Sequence, residues 1–330
     1  MSRTNSTPRL GAASAASFAL VAGLLAVVHL KVGRPMLLLE RFWPGAGWFE
    51  IAALAAYAAW LTPRMTDPGK ARVWRPRAWR LFSLVFFGQL ALGLTVDSRF
   101  LMTGDLHLPI PALIIAGPVF RMTISFMPIL FLATVLLLGP AWCSHLCYVG
   151  AWDDSASRAR RRPRPLPRSR NLVRVATLGA TVVTALLFRL AGMSGTAATA
   201  SAAIFGLASL LIIAFWSTRS GQMVHCSMIC PVGLVAGVLG RLNPFRLKIA
   251  PGCTDCGACR PSCRYDALRP EDIARRRPGI SCTLCGDCLD GCPTGMFNMR
   301  FSGLAPEAAR TLFSVLAVSL HAGFLGLARI

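Results

Sequence analysis

Charge is scarce in this sequence, and acidic charge is scarcer still. Of 330 residues 15% are charged, with 14 Asp and Glu against 35 Lys and Arg, and Lys itself occurs only as Lys31, Lys70 and Lys248. A charged share well below the ~25% usual for globular domains argues against an ordinary soluble enzyme. A 54% hydrophobic content equally excludes a disordered tail. Isolated cysteines are missing too: all twelve fall in close-spaced groups between 143 and 292. A secreted disulfide protein spreads its cysteines to staple distant loops, whereas tight C-x-x-C and C-x-x-x-C spacings suit metal ligation in a reducing compartment. Nothing in the chain reads as a catalytic triad or a phosphate loop. Gly45 and Gly47 form a Gly-x-Gly element, but no strand–helix context follows them, so a dinucleotide fold is excluded.

Aromatic residues are absent from the Arg-rich run 158–170, which Pro163, Pro165 and Pro167 keep from being helical. Nucleic acid is therefore not expected as a partner. The formal charge of +21 sits between long apolar blocks, which points to a membrane surface and its acidic lipid.

Blocks of about 20 apolar residues are what a spanning helix requires. They occur near 10–30, 45–62, 80–97, 122–142, 172–192, 200–217 and 308–328. The first follows Arg3 and Arg9 but meets His29, Leu30 and Lys31 rather than a small-residue cleavage site, so it reads as a retained helix. Lys and Arg number six in residues 62–80 and eight in 153–174, against two in 97–121 and none in 193–199. By the positive-inside rule the N-terminus and segment 218–307 lie in the cytoplasm, in a multi-pass protein of the cell's inner membrane. Four cysteines over 253–263 and four more at the same spacing over 282–292 precede the last block, so the expected fold is mainly α: a polytopic bundle of six or seven transmembrane helices with an inserted α+β ferredoxin domain of the bacterial dicluster type. Its divisions are a bundle over 1–240, the ferredoxin domain over 241–302 and a last spanning helix over 303–330.

The sequence Cys253-Thr-Asp-Cys256-Gly-Ala-Cys259-Arg-Pro-Ser-Cys263 is C-x2-C-x2-C-x3-C, and Cys282, Cys285, Cys288 and Cys292 repeat it. Three thiolates of such a run wrap one corner of a cubane while the fourth reaches the neighbouring one. The expected ligands are therefore crossed: Cys253, Cys256, Cys259 and Cys292 for one [4Fe–4S] cluster, and Cys263, Cys282, Cys285 and Cys288 for the other. Gly257 and Gly286 permit the tight turns that aim amides at sulfur. A zinc ribbon uses two pairs of cysteines rather than a repeated run of four. One departure stands out: Arg264 follows Cys263 where the second run has Pro293.

The other four cysteines form two C-x-x-x-C motifs, Cys143 with Cys147 and Cys226 with Cys230, each at the exit of an apolar block. On a helix the i, i+4 spacing puts both sulfurs on one face. Three readings stand: ligands of a further metal centre, redox-active thiols, or buried cysteines acting as small apolar residues. His145 and His225 lie close enough to be alternative ligands or proton carriers.

The whole pattern resembles the membrane polyferredoxins. Its relatives in that group are the NapH-type proteins of periplasmic nitrate reduction, the C-terminal half of NosR-type proteins and the CcoG-type proteins of cytochrome oxidase assembly. The resemblance runs from about residue 75 to 300. In the NapH-type pattern both exit motifs end in Pro, whereas here Pro231 follows the second and Tyr148 the first; no flavin-attachment sequence of the NosR kind is present. The resemblance implies electron transfer between the quinone pool and a redox protein partner. The competing reading is a metal-handling factor that reduces copper for an oxidase, and a third is a cluster-based redox sensor.

On the opposite face the same topology gathers His29, Glu50, Asp97, Asp105, His107 and His321. Of these His29, Asp105, His107 and His321 are the candidates for a quinol or haem site, beside a 104–120 stretch that reads as an interfacial loop. A haem b is not expected.

Overall fold

A computed structural model describes residues 7–101 and 108–327 of the chain. Among them six helices are long and apolar enough to cross a membrane: Leu10–Lys31, Pro68–Thr95, Phe126–His145, Arg170–Leu190, Gly195–Ser220 and Pro306–Leu327. The chain divides into two compact units, residues 1–107 with 304–330 and residues 108–303.

The first unit holds α1 (Thr7–Lys31), α2 (Leu38–Phe42), α3 (Gly47–Thr66) and α4 (Pro68–Thr95), joined by the last helix of the chain, Pro306–Leu327. The 45–62 block expected as a span forms α3, yet α3 is not among the six. Its surroundings explain why. Gly47, Ile51, Ala55, Ala58, Thr62 and Met65 recur every three or four residues and are buried, because α3 packs against α1, α4 and the last helix. A helix sheathed by other helices gains more from small side chains that permit close approach than from greasy ones. Val21, Leu25, Ala55, Ala58, Val318 and Ala322 fill the shared core. A Cβ on Gly326 would lie 2.9 Å from Leu54, so the last helix comes close to α3 there. Asp67 caps α4 by accepting from the amides of Gly69 and Lys70, with Pro68 in the first turn.

The second unit begins with α5 (Leu113–Arg121), a nine-residue helix in the stretch expected as an interfacial loop. The breakers Pro109 and Pro111 precede it, and Gly117 and Pro118 lie inside it, near its middle. There follow α6 (Phe126–Leu138), α7 (Trp142–His145), α8 (Tyr148–Ser157) and α9 (Arg170–Leu190). Next, α10 (Gly195–Leu211) continues through a π turn into α11 (Thr218–Ser220), and a second π turn, His225–Ile229, leads into α12 (Pro231–Leu239). Strands β1 (Arg246–Ile249) and β2 (Phe297–Arg300) pair antiparallel, with Arg246 opposite Arg300 and Ile249 opposite Phe297. Between them run the two cysteine repeats with the short helices α13 (Pro270–Ala274) and α14 (Asp287–Asp290). The last helix of the chain, Pro306–Leu327, is α15.

Candidate functional site

The sequence predicts each C-x-x-x-C as an i, i+4 pair on one helix face. The structure instead ends the helical turn between the two cysteines. Cys143 lies in α7, while Cys147 is extended (φ −78°, ψ 114°) and caps α8. Cys226 lies in the second π turn, and Cys230 repeats the conformation (φ −70°, ψ 116°) as the cap of α12. The physical reason is the same at both places. The Cys147 sulfur accepts the amides of Gly150 and Val149, and the Cys230 sulfur those of Gly233 and Val232. Each second cysteine thus occupies the electropositive start of a helix, a position that favours negative sulfur.

These four cysteines meet. The charge on Cys143 is felt at Cys226, as are those on Cys147 and Cys230, and Cys147 also feels Cys230. Burial pushes the Cys147 thiol up to about 12 and the Cys226 thiol well above its usual range. Four thiols so placed ionise together only with a cation among them. Around them stand polar atoms without a protein partner. Arg174 is buried; its Nη2 donates to the Gly233 carbonyl at 2.8 Å, but its Nε and Nη1 have no hydrogen-bond partner among the described residues. The charges of Cys143, Cys230 and Cys226 all act on it. Ser227 Oγ is likewise unsatisfied. Asp153 accepts the Cys226 amide at 2.9 Å, and burial raises its carboxyl to about 6.

The repeats in the β1–β2 segment gather in two more sets. Cys259 feels Cys292, Cys253 and Cys256, whereas Cys288 feels Cys285, Cys282 and Cys263. A small void is lined by Cys263, Cys282, Cys285 and Cys288 together, with the unsatisfied hydroxyl of Thr283 beside it. The two runs share their backbone. Asp255 and Leu284 hold φ of 55°, and Gly257 and Gly286 hold 72° and 82°, at matching positions. The fourth cysteines match too: Cys263 Sγ accepts the Ala267 amide at 3.2 Å and Cys292 Sγ that of Met296 at 3.3 Å. Burial raises Cys263 and Cys282 to about 12 and Cys259 to about 11.

Among the described residues no three His, Cys, Asp or Glu side chains close in around a single-ion position. Sets of four thiols with unsatisfied polar atoms beside them are the kind of donor set an iron–sulfur cluster takes.

Hydrogen bonds tie the exit set to the ferredoxin-type segment. Tyr265 Oη donates to the Cys143 carbonyl at 3.3 Å, and Ser144 Oγ to the Thr283 carbonyl at 2.9 Å. Arg264, the departure noted in the first run, has a task that proline could not perform. Its guanidinium donates to the carbonyls of Arg160 (2.8 Å), Gly221 (2.9 Å) and Ser157 (3.2 Å). The Arg-rich run is no mere solvated tract either: Arg158 reaches Asp287 at 2.9 Å and buried Arg170 reaches Asp266 at 2.7 Å. Of the twelve cysteines Cys256 is the exposed one, while Cys143, Cys147, Cys230, Cys259 and Cys288 are buried and the rest half-buried.

The histidines fare differently. His145 Nδ1 lies 3.2 Å from the Ala141 carbonyl and 3.0 Å from Ser144 Oγ. His225 Nδ1 has no partner among the described residues, and burial lowers its pKa to about 4, which keeps it neutral. In the first unit, His29 packs edge-on against Trp48, while His321 meets the Tyr57 hydroxyl at 3.2 Å. Trp48 and Tyr57 stand nine residues apart on α3, or roughly 14 Å, so the structure does not bring the two histidines together. Glu50 accepts the Leu39 amide and Asp97 pairs with Arg99. Asp105 and His107 lie outside the described residues.

Residues 120–167 and 202–250 match the family model described as a 4Fe-4S binding domain. Those stretches hold the four exit cysteines rather than the eight of the ferredoxin-type runs. The chain is 29% identical to the putative electron transport protein YccM of Escherichia coli, over 56% of this chain and 57% of that one. It is 29% identical to the methylamine utilization ferredoxin-type protein MauN of Methylorubrum extorquens (50% and 63%), and 24% to the ferredoxin-type protein NapH of Haemophilus influenzae (52% and 65%). These matches make the chain similar to the NapH-type ferredoxin proteins over about half of its length. It spans about three fifths of the length of these curated relatives. No solved structure matches it.

Sequence reasoning passed over Arg174 and Asp153. A signal for the first was present: an arginine set inside the first turn of an apolar block is a functional candidate by default.

Proposed function

We propose that this chain is a membrane-anchored electron-transfer protein with three redox centres in series. Cys253, Cys256, Cys259 and Cys292 would hold one [4Fe–4S] cluster, and Cys263, Cys282, Cys285 and Cys288 a second. Cys143, Cys147, Cys226 and Cys230 would hold a third iron–sulfur centre at the membrane exit. Such a cluster supplies one-electron exchange at a fixed position without binding substrate. The chain does the rest. Helix-start amides and Arg174 offset negative charge at the exit set. Burial keeps water from the inner sets, and exposed Cys256 presents the outermost set to a soluble redox protein.

The observation that carries this reading is the Tyr265–Cys143 and Ser144–Thr283 pair of hydrogen bonds, which joins the exit set to the second ferredoxin-type set. Kinship with the polyferredoxins supports the quinone pool as the membrane-side partner. The Lys and Arg distribution supports an inner-membrane protein with its N-terminus and β1–β2 segment in the cytoplasm. That orientation takes α3 as a seventh crossing, and its 20 residues reach about 30 Å.

Iron, copper and acid-labile sulfide analysis of the anaerobically purified chain, joined to EPR of the reduced form, tests the proposal. The expected result is about twelve irons and as many sulfides per chain. About eight irons, with copper held by the exit cysteines, would replace the third centre by the metal-handling reading. A preparation without iron ends the proposal. Quinol-dependent reduction of the clusters in proteoliposomes is expected, and its absence removes the quinone pool as partner.

A further inference from the structure

A cavity of about 700 Å³ in the second unit lies beside the cysteine sets and takes only Cys282 from them into its lining. It opens between the start of α9, the end of α12 and the segment leading to Cys282. Seven arginines line it, against Glu271 and Asp272. Four of the seven are committed. Arg170 and Arg269 grip Asp266, Arg246 donates to the Gly240 and Phe245 carbonyls, and Arg275 donates to the Glu271 carbonyl. The other three, Arg168, Arg241 and Arg277, are exposed, and their guanidinium groups make no hydrogen bond or ion pair with the described residues. Asp272 is already engaged by the Arg269 amide and by Arg275, so it does not neutralise them.

Three uncommitted guanidinium groups in a concave site with one uncommitted carboxylate, Glu271, leave net positive charge that an anion filling the site would stabilise. Guanidinium prefers phosphate to other anions because its planar fork matches two oxygens at once. The position adds a second argument. Arg168 stands just before the span Arg170–Leu190, which places this end of the cleft at the level of lipid head groups. A volume of 700 Å³ exceeds what a lone phosphate needs.

We infer that this cleft binds a phosphate-bearing anion of head-group size through Arg168, Arg241 and Arg277, beside the second ferredoxin-type cysteine set. The phosphate comes from an anionic phospholipid or from a soluble polyphosphate, and the test separates the two. The full chain is purified anaerobically and placed in phosphatidylcholine nanodiscs with or without a diphosphate-bearing tetra-acyl lipid. Lipid retained per chain is counted by mass spectrometry of the intact assembly, and inorganic pyrophosphate is titrated against the thermal unfolding of the detergent-solubilised chain. The variant is Arg168→Gln/Arg241→Gln/Arg277→Gln. The control is Arg161→Gln/Arg162→Gln/Arg164→Gln, which removes equal charge from exposed positions outside the cleft. Iron content and EPR verify that both variants fold.

Retention of the lipid by the native chain and the control, with a loss of about tenfold or more in the cleft variant, supports the site and names lipid as its source. Stabilisation by pyrophosphate without lipid retention, lost in the same variant, supports the site with a soluble source. Equal losses in both variants overturn the inference, because they reduce the effect to overall charge. Binding of neither probe by the native chain overturns it as well.

Discussion

The hydroxyl of Tyr265 donates to the backbone carbonyl of Cys143 across 3.3 Å. Tyr265 follows Cys263 by two residues, so one bond links a cysteine of the membrane exit to the turn that carries a cysteine of the ferredoxin-type segment. Tyr265→Phe keeps the ring and removes this link. Its expected cost is about 1 kcal/mol, read as a lowered unfolding temperature at full iron content. A variant as stable as the native chain would mean that the bond holds nothing in place.

Crossed ligation makes a pairwise prediction. Cys256→Ser and Cys292→Ser should abolish the same EPR signal of the reduced protein, although 36 residues separate them. Cys263→Ser should instead match Cys288→Ser. Signals that pair by run, with Cys256 alongside Cys263, would show that each run holds its own cluster.

Arg174 is the buried positive charge acting on three of the four exit cysteines. Replacing it by Gln should lower the midpoint potential of the exit centre, because the reduced form carries the extra negative charge. The two ferredoxin-type centres should keep theirs, and Arg174→Lys should restore part of the shift. A potentiometric EPR titration with all three unchanged would leave Arg174 a packing residue.

Gly233 tests the backbone at the second exit motif. A Cβ there would sit 2.8 Å from the Cys226 carbonyl oxygen, and backbone does not yield as a flexible side chain does. Gly233→Ala is expected to cost about 1–3 kcal/mol and to lower iron by about a third, the share of one centre in three. Normal iron in this variant would remove the strain argument.

Asp266 accepts from Arg170 and Arg269 and from the Leu166 amide. Asp266→Asn fits its left-handed backbone (φ 49°) but leaves Arg170 buried without its partner charge. A loss of about 3–5 kcal/mol is expected. Arg269→Gln retains the Arg170–Asp266 pair and should cost less. Thermal unfolding in detergent ranks the two, and the reverse order would refute the assignment.

Much of this was written in periodicities and spacings. Apolar blocks about 20 residues long announce their helices because lipid leaves backbone groups no other partner, and the doubled cysteine run fixes its own turns through Gly257 and Gly286. What stayed hidden depends on neighbours distant in sequence. The spacing of Cys143 and Cys147 fits a helix face, and only the amides of Val149 and Gly150 show why the chain breaks there. Arg264 looked like a lapse in a repeat until the carbonyls of Ser157, Arg160 and Gly221 supplied its partners. His29 and His321 share a residue type and an expected face, but α3 sets their partners Trp48 and Tyr57 two and a half turns apart.

The exposure of Cys256, where Cys143, Cys147 and Cys230 are buried, also bears on how the protein decays. Dissolved oxygen, or a chelator added to the buffer, meets the outermost sulfur first and reaches the lipid-side sulfurs last. A sample left in air would therefore fade from its watery end, and the sequence in which its colour and spectra vanish would serve as a depth gauge for its thiols.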